Sequence, residues 1–166
     1  MRKVTFVFLA IFIAICLFNG KLYAAEKIGY VNLSKIFNEY SKTKEYDKKL
    51  EGKQKAYEGE REKKANEIKK LQDKLVLLNE KQKEKKTKEI EGKIRSFQEY
   101  DTNKRLDLRN ERDEKIREIL EYIEETIRKY AKAQGYTLVF NDRVLVYQDK
   151  GNDITDAIIA LVNKKK

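Results

Sequence analysis

The middle of the chain, from about residue 32 to residue 133, carries apolar residues at the spacing of an α-helix. Its first stripe contains Leu33 and Ile36, with Asn32 or Ser34 available as the N-cap. Two ladders of seven-residue spacing continue from Leu33 and Ile36, and both are apolar at their ends and polar in the middle. This pattern is typical of a coiled coil whose centre is hydrated.

The most favourable place for this helical region to reverse lies near residues 76–82. Asn79 can cap a new helix, and Gln82 can complete a weak capping box three places later. A first helix over residues 32–78 would be about 70 Å long at a rise of about 1.5 Å per residue. One unbroken helix is the alternative. We favour a hairpin because the apolar stripes at both outer ends of the region need a partner.

Short apolar segments flank the helical region. Residues 26–31 form a β-like run, and residues 136–140 and 144–147 are rich in β-branched and aromatic side chains. Residues 141–143 have the composition of a turn, so these two segments predict a β-hairpin. A last amphipathic helix is predicted over residues 154–162. The ends of the chain therefore predict three short strands and one helix.

Residues 1–25 have the three-part layout of a secretory signal peptide. A basic start is followed by fifteen uncharged residues, 4–18, and the chain becomes polar at Glu26. A membrane-spanning helix needs about 20 apolar residues, which makes a retained anchor the weaker alternative. We expect cleavage near Ala24 or Ala25 and export to the periplasm. Cys16 lies inside the apolar run, which argues against a lipid anchor at this residue.

Composition excludes several classes of site. After residue 25 the chain has no Cys, His, Met, Trp or Pro. Disulfides, thiolate or imidazole metal sites and histidine-dependent nucleophiles are therefore excluded. No Gly-rich phosphate loop of the Walker type occurs, so nucleotide-driven release is not expected. We predict no enzyme activity, no metal and no cofactor.

Charge indicates the kind of partner. Removing the three basic residues of the leader from 38 Lys and Arg leaves 35 against 28 Asp and Glu, a net charge of +7. A basic chain favours acidic polypeptides, anionic lipid or nucleic acid. Export argues against nucleic acid. An acidic polypeptide or an anionic lipid is therefore the predicted partner.

The order of these segments resembles the Skp/OmpH family of periplasmic chaperones. The matching features are KIGYVN at 27–32, the proline-free helical pair, LVFND at 138–142, VLVY at 144–147 and DITD at 153–156. The resemblance implies a mainly α fold with a small β body. A long antiparallel coiled-coil hairpin arm would project from a short-stranded oligomerisation core, giving a jellyfish-like homotrimer. Residues 26–166 would form one domain, with residues 26–40 and 116–166 as the assembly body and residues 41–115 as the arm.

The same resemblance implies an ATP-independent holdase that binds unfolded outer-membrane proteins and prevents their aggregation. A structural or scaffold protein of the envelope, without chaperone activity, is the alternative. The candidate client-binding residues are Tyr57, Leu71, Leu75, Leu77, Leu78, Ile90, Ile94 and Phe97. The candidate oligomerisation residues are Ile28, Tyr30, Leu138, Phe140, Val144 and Val146.

Overall fold

The computed structural model describes residues 26–164. In chain order the elements are β1 (Ile28–Val31), α1 (Leu33–Glu39), α2 (Ser41–Leu75), α3 (Glu80–Gln134), β2 (Leu138–Asn141) and α4 (Thr155–Asn163), with 3-10 turns at Asp142–Val144 and Lys150–Asn152. The predicted signal peptide and its cleavage near Ala24 or Ala25 concern residues outside this described range. None of the helices within it is both long and apolar enough to cross a membrane.

The two long helices form an antiparallel hairpin, which confirms the predicted reversal and excludes a single unbroken helix. α2 ends at Leu75, and α3 begins at Glu80 after a short turn. The side chain of Asn79 accepts a hydrogen bond of 3.0 Å from the backbone N–H of Gln82, so Asn79 is the predicted cap. α3 ends at Gly135, whose φ of 73° is a left-handed conformation that favours glycine.

The first long helix was predicted to begin near residue 32, and the structure divides it at Tyr40. Of the two predicted candidates for the N-cap, Asn32 and Ser34, it is Asn32 that caps α1, by accepting a hydrogen bond from the backbone N–H of Lys35. Tyr40 has extended backbone, because its ring is buried and stacks on Tyr122 of α3 at 5.6 Å. The backbone N–H of Ser41 then donates to Asn163 in α4. Tertiary contacts therefore break a helix that local propensity would continue.

A small body packs at the base of the hairpin. β1 and β2 are parallel, with Ile28 opposite Leu138 and Val31 opposite Asn141. The apolar faces of α1, α4 and the end of α3 meet beside this sheet. The enclosed core consists of Val31, Ile36, Tyr40, Ile119, Ile123, Ile154, Ile158 and Val162.

The predicted β-hairpin at residues 136–147 is wrong. Only Leu138–Asn141 forms a strand, and it pairs with β1 instead of with the following segment. The side chain of Asn141 accepts from the backbone N–H of Arg143 and starts a 3-10 turn. Val144 at the end of this turn and Val146 beyond it are exposed. The β-branched pattern indicates that a segment can form a strand, but within residues 26–164 the segment after the turn pairs with neither strand of the sheet.

Candidate functional site: the hairpin arm and the exposed face of the body

The middle of the arm is held by one carboxylate with three donors. Oδ1 of Asp101 in α3 accepts from the Tyr57 hydroxyl at 2.6 Å and from Nε of Arg61 at 2.9 Å, both in α2. Its Oδ2 lies 2.9 Å from Nη2 of Arg105. We call these four residues the Asp101 hub. Because two donors come from α2 and the acceptor from α3, the hub fixes the two helices to each other.

Electrostatics keep the hub in its charged, hydrogen-bonded form. The hydrogen bond from Tyr57 lowers the pKa of Asp101, and the nearby Arg105 and Arg61 lower it further, against the opposing effect of burial. Burial raises the pKa of Tyr57, so its hydroxyl remains a donor. Asp101 therefore stays ionised and Tyr57 stays protonated across the physiological range.

Two further contacts lie close to the hub. Tyr100 of α3 donates a hydrogen bond to Glu60 of α2, and this bond raises the pKa of Tyr100 to about 12. The ammonium of Lys64 lies 4.9 Å from the centre of the Tyr100 ring. Nearer the body, Lys53 and Glu111 form an ion pair of 2.5 Å between the helices. These contacts make the body-proximal half of the arm a polar, cross-linked seam.

The distal half of the arm is held by apolar contacts instead. Ile90 is buried, and its neighbours along the seam are only half-buried. A groove of about 210 Å³ opens between the helices beside Ile68 and Phe97, with Glu67 and Lys93 on its walls. In the described part of the chain, every ion pair or side-chain hydrogen bond beyond the hub joins residues of one helix or its cap.

The tip of the arm exposes apolar side chains in a cationic setting. Val76 is 81% exposed and Leu77 is 85% exposed. Residues 61–95 contain 13 Lys and Arg and seven Asp and Glu, a difference of +6. The other arm residues, 41–60 and 96–115, contain by contrast 11 basic and 11 acidic residues, a difference of 0. The positive charge of the arm is therefore concentrated in its distal half.

The candidate client-binding residues fall into three classes of exposure. The exposed one is Leu77; the half-buried ones are Leu71, Leu75, Leu78, Ile94 and Phe97; the buried ones are Tyr57 and Ile90. Tyr57 belongs to the Asp101 hub, where its ring and hydroxyl join the two helices. In the closed hairpin, Tyr57 and Ile90 offer no surface to a partner.

Sequence reasoning missed two features of the arm. Val76 is as exposed as Leu77, and its position inside the predicted turn was the available signal. The Asp101 hub gave no clear signal, because a single aspartate among many charged residues is not distinctive. Its partners become evident only when the register of the two helices is known.

Three of the six candidate oligomerisation residues lie on one exposed face of the sheet. Ile28 and Leu138 are paired across β1 and β2, and Phe140 follows Leu138 at the next position on the same face; all three are exposed. Val144 and Val146 are also exposed. Tyr30 differs, because it is buried within the single chain at 5% exposure, and this burial raises the pKa of its hydroxyl. Tyr30 pairs with Phe140 and therefore shares the sheet face of Ile28 and Leu138, but other parts of the single chain cover it.

The described residues contain no cluster of three or more His, Cys, Asp or Glu side chains that could hold a metal ion. What the arm offers is instead an extended surface of lysines and apolar side chains. Such a surface can attract and hold an acidic or unfolded chain through many weak contacts.

Comparison with known proteins agrees with this geometry. A family described as "Outer membrane protein (OmpH-like)" matches residues 27–162, which is nearly the whole described chain. The chain belongs to the OmpH-like family. No curated protein matches it at a significant level.

A solved structure supports the fold of this OmpH-like chain. It is a crystal structure of an OmpH-like protein from Caulobacter crescentus CB15, which its description assigns provisionally as an outer membrane chaperone. The match has a TM-score of 0.55 at 14% sequence identity and covers 84% of this chain and 85% of the other. A helical arm on a small body is therefore shared by the two proteins.

Proposed function

We propose that this chain is an ATP-independent periplasmic holdase that binds unfolded outer-membrane proteins and works as a homotrimer. Membership of the OmpH-like family supports a chaperone role. The observation that carries the proposal is the distal arm, where a charge difference of +6 surrounds apolar side chains. These side chains lie on a projecting hairpin, so a client can reach them from outside the body.

Charge brings the client to the arm. The distal lysines attract acidic segments of an unfolded chain, and salt screens this attraction over a Debye length of about 8 Å at physiological ionic strength. Apolar contacts then hold the client without any one of them being strong. Several arms in one assembly add their weak contacts, so binding is tight while each contact remains easily broken.

The exposed face of the body supports assembly. Ile28, Leu138 and Phe140 form an apolar surface that the single chain leaves uncovered. A small body of this kind gains burial by association. The exposed segment at Val144 and Val146 has the composition of a strand, and a strand edge of another copy would give it the partner it lacks. We infer that residues 26–40 and 116–166 form the assembly body and that residues 41–115 form the arm.

The predicted leader accounts for the proposed location in the periplasm. Residues 1–25 would direct export and be removed near Ala24 or Ala25, leaving residues 26–166 in the periplasm. The periplasm is where an unfolded outer-membrane protein needs protection.

The test is a light-scattering mass measurement of residues 26–166, alone and with an unfolded outer-membrane β-barrel protein diluted from urea. We expect a trimer mass alone and one discrete complex with the client. The same protein should suppress aggregation of the client without nucleotide, and less well at high salt. A monomer, or no suppression at stoichiometric excess, would reject the proposal. A stable folded partner without any client binding would favour the scaffold alternative.

Two charge variants separate steering from general solubility. Lys81→Gln with Lys85→Gln removes two exposed charges from the distal arm, and Lys48→Gln with Lys49→Gln removes two from its base. We expect the distal variant to capture client more slowly and with a weaker salt dependence. The base variant should behave like the unchanged chain. Equal effects of both variants would mean that only total charge matters.

A further inference from the structure

The polar connections between the two arm helices end at the Asp101 hub. On the body side of the hub, α2 and α3 are joined by Lys53 with Glu111, and at the hub by Tyr57 and Arg61 with Asp101. Beyond it, the hydrogen bonds and ion pairs of the described residues stay within one helix or its cap. Apart from the contact of the Lys64 ammonium with the Tyr100 ring beside the hub, the distal helices are therefore held to each other by apolar contact.

That apolar contact is incomplete. The distal seam consists of Ile68, Leu71 and Leu75 in α2 and Ile90, Ile94 and Phe97 in α3. Only Ile90 among them is buried, while the others are half-buried. The groove beside Ile68 and Phe97 leaves about 210 Å³ between the helices. The seam thus keeps part of its apolar surface available even when the hairpin is closed.

The charges on the distal helices oppose closure. Residues 61–75 contain six basic and three acidic side chains, and residues 80–95 contain seven basic and four acidic ones. Each of these two distal segments therefore has a net charge of +3, and the segments repel each other. An acidic chain placed between them would reduce this repulsion.

Gly92 adds local weakness to the same region. It lies between Ile90 and Ile94, and a Cβ at this position would meet nothing within 4 Å. Close packing therefore does not require a glycine there. Glycine inside a helix lowers its stability relative to alanine, so α3 is locally weakened within the distal seam.

We propose that the distal seam opens to receive an extended apolar segment of an unfolded, acidic client, while the Asp101 hub stops the separation from reaching the body. The client replaces helix–helix contacts at the distal seam, and its carboxylates lie among the surrounding lysines. This inference rests on the proposed holdase function and assigns its client-binding surface. Opening of the seam would also expose Ile90, which is buried in the closed hairpin and cannot contact a client there.

A cross-linking experiment tests the opening. Residues 26–166 contain every described element and no cysteine, so Glu67→Cys with Lys93→Cys introduces two thiols on opposite walls of the distal groove. A short bifunctional maleimide then ties the distal helices together. The matched control is Lys53→Cys with Glu111→Cys, where the native side chains already meet. Equal helical circular dichroism of all forms shows that they are folded.

The readout is affinity for an unfolded outer-membrane β-barrel protein diluted from urea. We expect the distal cross-link to weaken client binding at least about tenfold, and the proximal cross-link to change it less than about twofold. Full binding by the distally linked protein would overturn the opening while leaving the holdase function intact. Failure of the unmodified chain to bind the client would instead reject the proposed function, and the inference with it.

Glycine variants test the opening without any cross-linker. Gly92→Ala stiffens the distal helix, and Gly52→Ala makes the same change on the body side of the hub, also with nothing within 4 Å of the new methyl. We expect Gly92→Ala to weaken client binding about two- to fivefold, in line with the difference in helix propensity between the two residues. Gly52→Ala should leave it unchanged. Equal affinity of both variants would contradict a role for bending at Gly92.

Discussion

Replacing Tyr57 with phenylalanine removes one hydroxyl from the centre of the arm. The ring of Tyr57 is buried, and its hydroxyl donates at 2.6 Å to the Asp101 carboxylate. Phenylalanine keeps the ring and its packing but cannot donate. Asp101 retains Arg61 and Arg105, so no unpaired charge is left. The variant therefore isolates a single charge-assisted hydrogen bond.

The expected cost of Tyr57→Phe is about 1.5–3 kcal/mol in the free energy of unfolding, because hydrogen bonds to charged groups contribute about that much. Tyr57→Ala also removes the buried ring and should cost about 3–5 kcal/mol, the range for large aromatic side chains. The difference between the two variants separates the hydroxyl from the packing of the ring.

The pH dependence gives an independent check on the same bond. The pKa of Asp101 is lowered in the folded protein, so its contribution to stability is present above the ordinary aspartate pKa of about 4. That contribution is lost as pH falls through the folded pKa. Because the bond from Tyr57 is the largest cause of the lowering, Tyr57→Phe should lose less stability than the unchanged chain between about pH 5 and pH 2.

The assay is urea unfolding followed by circular dichroism, at one protein concentration because assembly contributes to apparent stability. The unchanged chain, Tyr57→Phe and Tyr57→Ala are compared at pH 7 and at several acidic values. If Tyr57→Phe matched the unchanged chain in both stability and acid sensitivity, the hub would not hold the arm together and the limit to seam opening would have to lie elsewhere.

Two further predictions concern the turn and the core. Asn79→Ala removes the cap of α3 and should cost about 1 kcal/mol in urea unfolding, with Asn79→Ser retaining most of the stability; equal loss in both would show that the cap contributes nothing. Ile123 is fully enclosed in the body, so Ile123→Val should cost about 0.5–1.5 kcal/mol and Ile123→Ala about 2–5 kcal/mol. A neutral Ile123→Ala in the same assay would contradict the assigned core.

Elements determined by local chemistry could be predicted from sequence. The caps at Asn32 and Asn79 follow from a side-chain oxygen that reaches a backbone N–H three residues later, and both predictions are confirmed. The hairpin followed from apolar stripes at Ile36 and Ile119 that needed each other, and both residues now lie in one core. Periodicity and capping are properties of short segments, so a single sequence carries them.

Features that depend on tertiary partners could not be predicted. Nothing near Tyr40 in the sequence signals a break, because the break comes from Tyr122 and Asn163, far along the chain. The strand predicted at Val144 and Val146 is not formed, although the local sequence favours it. These side chains favour extended structure, but the 3-10 turn at Asp142–Val144 follows β2, and within residues 26–164 the segment pairs with neither strand. A local sequence pattern gives the strand propensity of a segment, but it does not identify the strand with which that segment will pair.

Burial makes some of the candidate client-binding residues, Tyr57 and Ile90, inaccessible in the closed hairpin. Apolar residues in a projecting hairpin serve two needs that compete, because the contacts that close Ile90 against its partner helix are the contacts a client would use. A seam sealed throughout its length would hold the arm but bind nothing, and an open one would bind without a defined shape. The two parts of the arm differ in this respect: polar bonds join the helices from Lys53 to the Asp101 hub, whereas further out the hydrogen bonds and ion pairs of the described residues stay within one helix or its cap, and both distal segments have a net positive charge. In the opening that we propose, a client would displace apolar contacts of the distal seam without breaking the ion pairs of the hub.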